Sequence, residues 1–159
     1  MRERIEIRAQ EPVARCLMRR LTVPRIYFEA QWPGLPGHRI DVLAIDRDGM
    51  ADAHLVEIRS KAKDAIDQVP GLLKAAAPYR WIAFLRGSED EKSALAIVDQ
   101  SCLYVPEKAG RVGIIEYFEM ANHELGANVR LPAERFPEPT YDLSVAFAAA
   151  NKASIQFGD

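Results

Sequence analysis

Asp41, Glu57 and Arg59 have the types and spacing to act together. They lie in two β-rich runs, His38-Arg39-Ile40-Asp41-Val42-Leu43-Ala44-Ile45 and His54-Leu55-Val56-Glu57-Ile58-Arg59-Ser60-Lys61. Between the runs stands a polar break that begins Asp46-Arg47-Asp48-Gly49. Strand, Asp/Gly break and strand make a hairpin signal. Side chains alternate faces along a strand. Asp41 is therefore expected on the face of Arg39 and Leu43, and Glu57 on that of Leu55 and Arg59. A carboxylate inside an apolar strand is costly to bury unless something pairs with it. Two of them on neighbouring strands can converge on a divalent cation. The alternative on spacing alone is a solvated sheet face or a carboxylate paired with a nearby arginine.

The flanking elements must hold these strands in place. Arg4-Ile5-Glu6-Ile7-Arg8 alternates and reads as a short edge strand or the lead-in to a helix. Glu11-Pro12 suits a helix start. Val13, Ala14, Leu17, Met18 and Leu21 then form one apolar stripe, with Arg15, Arg19 and Arg20 off it; Pro24 closes the helix. Arg25 to Trp32 reads as a core strand, followed by the turn-rich Pro33-Gly34-Leu35-Pro36-Gly37. Residues 63–77 read as helical, with a kink or a division at Pro70-Gly71. Tyr79-Arg80-Trp81-Ile82-Ala83-Phe84-Leu85 is the strongest strand, and the intervening helix makes it parallel to the Glu57 strand. Ser88 with Glu91 suggests a capping box for a helix that turns Leu95, Ile97 and Val98 inward. Residues 102–105 and 111–118 read as strands, with a turn at 106–110. From Ala121 the signal fades into a proline-punctuated extended segment. Residues 141–150 suggest a closing helix, and 151–159 a loose tail.

Asp41, then Glu57-Ile58-Arg59 on the next strand, then a helix containing Gln68, resembles the PD-(D/E)xK nuclease superfamily. That pattern is an Asp on one strand and Glu-x-Lys on the next. Here the position of the Pro holds Ile40 and that of the Lys holds Arg59. The resemblance covers about residues 26–105. It implies an α/β, restriction-endonuclease-like core: a mixed sheet of an antiparallel hairpin plus a parallel crossover strand, flanked by helices. It implies hydrolysis of DNA phosphodiesters with Mg²⁺ or Mn²⁺ held by Asp41, Glu57 and the Ile58 carbonyl. An upstream carboxylate often assists, and Glu29 is the candidate, with Glu6 and Glu11 as alternatives. Gln68 would face the site from its helix. Arg59 would sit where the family has Lys, and a guanidinium cannot accept a proton. It can still neutralise a phosphate, or bridge the carboxylates and replace the metal. Lys61 or Lys63 could stand in for the missing Lys. The competing expectation is therefore a catalytically inactive nuclease fold used as a nucleic-acid-binding or protein-interaction module.

Length and composition fit one domain across residues 1–159, with a core at about 25–118 and an extension at 119–159. At 159 residues and 48% hydrophobic content the chain can bury a proper core. No apolar run approaches a membrane span and no export signal is evident, which points to the cytoplasm. Cys16 and Cys102 are too few for a disulfide framework and read as buried thiols. His38, His54 and His123 lack zinc-site spacing, although His38 flanks the Asp41 strand. Net charge is −2, but residues 1–25 carry seven Arg against three Glu. Phosphate contacts are therefore expected from Arg15, Arg19 and Arg20, with Lys61 and Lys63 near the carboxylates. DNA is the expected partner and RNA stays open. Dimerisation is common in such folds, though no residue here argues for it.

Overall fold

A computed structural model describes residues 4–22, 24–32, 39–46, 52–105, 109–137, 146, 148–150 and 155–157. His38, the loops at 33–37 and 47–51 and most of the 106–110 turn fall outside them. The chain is α/β. In order, its elements are α1 (Arg4–Met18), β1 (Pro24–Gln31), β2 (Arg39–Asp46), β3 (Ala53–Ile58), α2 (Ala62–Ile66), α3 (Val69–Leu72) and β4 (Tyr79–Leu85). Then follow α4 (Glu91–Asp99), β5 (Tyr104–Val105), β6 (Gly110–Arg111), β7 (Gly113–Glu119), β8 (Leu125–Leu131) and β9 (Ile155–Phe157). Among the described residues one mixed sheet runs β8-β7-β4-β3-β2-β1-β9, and β5 and β6 form a separate ribbon.

The hairpin and the crossover are where the sequence puts them. β2 pairs antiparallel with β3, and β4 lies parallel to β3. β7 continues the parallel set beyond β4. The sheet is covered on both faces, so its central strands are almost wholly buried and, apart from Asp41, His54, Glu57 and Arg80, apolar over their buried lengths. On one face α1 supplies Ala9, Val13, Ala14 and Leu17 against Val42, Val56, Ala83 and Tyr117. On the other, α2 and α3 supply Ala62, Ala65, Val69 and Leu72 against Leu43, Leu55, Ile82 and Phe84.

Several expectations are corrected. Helix α1 begins at Arg4 and runs through Pro12 rather than starting there. An interior proline costs about 3 kcal/mol. The buried stripe Glu6, Gln10, Val13 and Leu17, which recurs at helical spacing, offsets it. The N-cap of α4 is Asp90, whose carboxylate accepts the Ser93 N–H at 2.7 Å. Ser88 instead accepts the Ala62 N–H at 3.0 Å. Leu95 and Val98 face solvent, and Ile97 turns inward. Residues 63–77 divide into α2 and α3 around the turn at Asp67-Gln68. The segment after Ala121 contains a full strand, β8, antiparallel to β7. The C-terminal tail supplies β9, which pairs with β1. Residues Ala146 and 148–150 are helical, and Ala146, Ala149 and Ala150 are buried. Cys16 is buried, Cys102 is half-buried, and both are free thiols. No helix among the described residues is long and apolar enough to cross a membrane.

Candidate functional site

The site forms where β2 and β3 part. Their ladder ends at Val42↔Val56. Strand β3 stays tied to β4 through Ile58↔Ala83, and the Arg59 N–H donates to the Ala83 carbonyl at 2.9 Å. The Ile58 N–H has therefore lost its β2 carbonyl, and the Asp41 carboxylate takes that place, accepting it at 2.6 Å.

The facing strand β1 is irregular at the same level. Glu29 has a left-handed backbone, φ 54°, uncommon for a non-glycine residue. It falls between the pairs Phe28↔Val42 and Ala30↔Ile40, level with Asp41. Strict alternation breaks on both strands there. Tyr27 and Ala30 share one core cluster, as do Ile40 and Leu43.

Arg59 closes the gap. Its Nη1 lies 3.5 Å from Asp41 Oδ2, 3.2 Å from Glu57 Oε2 and 2.8 Å from the Ile58 carbonyl. Both carboxylates are essentially removed from solvent, at 0% and 1% exposure, while the arginine side chain keeps 22%. The Tyr117 hydroxyl donates to the Arg59 carbonyl at 2.7 Å and steadies the backbone that carries the guanidinium. From α1, buried Glu6 accepts the Ser60 N–H at 3.3 Å. It is one of the two alternatives to Glu29 in the sequence, where the stripe it shares with Gln10 and Val13 is hidden by reading Pro12 as a helix start.

The remaining candidates are dispersed. Glu29 pairs with Arg39 at 3.8 Å near the surface. Gln68 is the half-buried N-cap residue of α3, and its side chain makes no cap bond. Lys61 and Lys63 are exposed at the start of α2. Glu11 bonds Arg15 at 2.6 Å on the outer side of α1. Arg15 and Arg19 line a cleft between α1 and the β7–β8 hairpin. Arg20 instead turns to a cavity of about 320 Å³ near the start of β3, shared with His54, Asp46, Asp52 and Trp81.

In that second cavity His54 accepts the Trp81 indole N–H on Nδ1 at 3.1 Å and stacks on Tyr79 with ring centroids 4.2 Å apart. Burial, against the opposing pull of Asp46 and Asp52, lowers its pKa to about 4 from an ordinary 6.5. An imidazole with a depressed folded pKa favours folding fully above the unfolded value. That contribution is lost as pH falls from 6.5 towards 4, because the unfolded chain takes up the proton first. The full difference is about 3 kcal/mol at most. His54→Gln, which can still accept from Trp81, should flatten this part of the urea-midpoint profile. Parallel profiles for the two proteins would refute it.

No family model and no curated protein matches the sequence. Among solved structures the chain is similar to the SPO1766 protein of unknown function from Silicibacter pomeroyi. The TM-score is 0.52 at 17% identity, covering 96% of this chain and 86% of that one. At this identity the likeness concerns the fold alone.

Proposed function

We propose that the chain carries a restriction-endonuclease-like core in which Arg59 stands where the family's metal would be. It works as a binding module that does not hydrolyse phosphodiesters. The observation that carries this is the convergence of Asp41, Glu57 and the Ile58 carbonyl on one guanidinium nitrogen. These are the three oxygen donors that the nuclease resemblance assigns to Mg²⁺ or Mn²⁺. The hairpin β2–β3 extended by parallel β4 supports the fold assignment.

The donor types suit a hard cation, but Arg59 Nη1 already fills the space among them. Mg²⁺ requires oxygens at about 2.0–2.1 Å in an octahedron. Here the oxygens stand at N–H···O distances, 2.8 to 3.5 Å from Nη1, and Asp41 Oδ2 is also engaged by the Ile58 N–H. The guanidinium keeps its proton at any physiological pH, so it presents one permanent positive charge to the two carboxylates and cannot serve as a base.

Calorimetric titration with Mn²⁺ tests this, together with incubation of plasmid and oligonucleotides in Mg²⁺ or Mn²⁺. Wild-type protein is expected to show no stoichiometric Mn²⁺ binding and no cleavage. Stoichiometric binding and cleavage, both lost in Asp41→Asn, would establish the hydrolytic reading instead.

A further inference from the structure

We propose that the cleft between α1 and the β7–β8 hairpin binds single-stranded nucleic acid, with phosphates placed along Arg8, Arg15 and Arg19. This deepens the binding-module reading and rests on it. The cleft measures about 900 Å³ and carries three arginines along one wall, Arg8 and Arg15 from α1 and Arg19 from the turn just after it. From Arg8 to Arg19 that wall extends roughly 16 Å, enough for several phosphates of one strand.

Two of the arginines are already anchored across the cleft. Arg8 Nη2 donates to the His123 carbonyl at 2.9 Å, and Arg19 Nη2 to the Ala127 carbonyl at 3.1 Å. A guanidinium has five N–H donors, so one carbonyl leaves most of them for an anion. Their positions are held before any ligand arrives, which reduces the entropy lost on binding. Arg15 is bonded to Glu11 in an exposed pair. Such pairs contribute little, so a phosphate can displace the carboxylate at small cost.

The ligand also needs an apolar part. Ile7 and Met120, 53% and 39% exposed, are two of the large apolar side chains that the fold leaves in water, and both line this cleft. Phe118 lines it too, but Arg86 lies over its ring at 4.1 Å. Base contact therefore falls to Ile7 and Met120. A nucleotide strand alternates phosphate with a flat base at every step, and the cleft sets Arg8, Arg15 and Arg19 beside apolar side chains, with Glu11 and Glu124 also in its lining. Unpaired bases can reach Ile7 and Met120 beside the arginines, whereas a duplex keeps its bases stacked inside. An acidic peptide would supply the charge without the repeated flat faces.

The test is fluorescence anisotropy with a short labelled oligonucleotide and with its duplex. Single strand is expected to bind tighter than duplex, whose bases stay stacked away from Ile7 and Met120. The variant with Arg8, Arg15 and Arg19 all changed to Ala should lower the log–log salt slope by about 2, at about 0.7 per phosphate on single strands. Glu11→Gln, which frees Arg15, should tighten binding. Arg8 and Arg19 also tie this wall to the β7–β8 hairpin, so Ile7→Glu supplies a variant that leaves those bonds intact, and it must weaken binding as well. An unchanged slope, equal affinity for duplex, or equal competition by polyglutamate would overturn the proposal. Cleavage of the oligonucleotide would sink the non-hydrolytic reading and leave the cleft assignment standing.

Discussion

Replacing Arg59 with Ala is expected to destabilise the protein by about 3–5 kcal/mol, the usual cost of removing one partner from a buried ionic pair. The arginine offsets two carboxylates that are almost fully removed from water. Without it, two buried carboxyl groups face each other across the gap between β2 and β3 with no cation from Arg59, and the Ile58 carbonyl loses its 2.8 Å donor. The same substitution opens the oxygen triangle. Mn²⁺ should therefore raise the melting temperature of Arg59→Ala and leave that of the wild type unchanged. A ligand at a hundred times its Kd adds about 2.7 kcal/mol, so rescue should be plain in a thermal melt. Arg59→Lys should fall between the two, since an ammonium keeps the charge without the planar fork. An Arg59→Ala protein as stable as the wild type, and indifferent to Mn²⁺, would mean that the guanidinium does not hold this site together.

Arg80→Ala should cost about 3 kcal/mol or more. Arg80 is fully buried on β4, with its guanidinium 4.2 Å over the ring of Phe136 and donating to the Ala75 carbonyl. It thus ties the turn before β4 to the extended segment after β8. Phe136 is held from the same side, its N–H donating to the Pro78 carbonyl at 2.7 Å. Truncation removes the packing under Phe136 and deprives a buried carbonyl of its donor. Arg80→Met restores volume without the hydrogen bond and should recover part of the loss. Urea unfolding of both variants checks this, and a midpoint shift in Arg80→Ala no larger than that of a surface substitution would refute it.

The contrast between Arg59 and Arg80 shows how differently buried arginines enter a sequence. Arg59 stands one residue past an apolar strand that carries a carboxylate, so its ionic role could be anticipated. Arg80 sits in a strand whose neighbours Trp81 to Phe84 already satisfy the β pattern. Its partners, Ala75 and Phe136, come from a turn and from an extended segment far along the chain. No local periodicity encodes that meeting.

The same division runs through the whole molecule. The hairpin of β2 and β3, the parallel placement of β4 and the grouping of Asp41, Glu57 and Arg59 were legible because they depend on short-range alternation and on a short crossover. Strand β8 was not legible: its burial is mixed along its length, and it is a strand because β7 offers it hydrogen bonds. Strand β9 depends likewise on β1. The helical state of residues 4–11 was obscured by Pro12, whose local penalty is outweighed by a sheet face assembled from distant residues. At the site, the sequence by itself picked out Asp41, Glu57 and Arg59, while of the others expected there Glu29 pairs with Arg39 and Lys61 and Lys63 are exposed at the start of α2. Tertiary structure decided that the ladder stops at Val42↔Val56, that Asp41 fills the vacated backbone acceptor position, and that the guanidinium of Arg59 reaches both carboxylates at once. Those outcomes follow from how far two strands diverge, a distance set by the packing of the layers on either side of them.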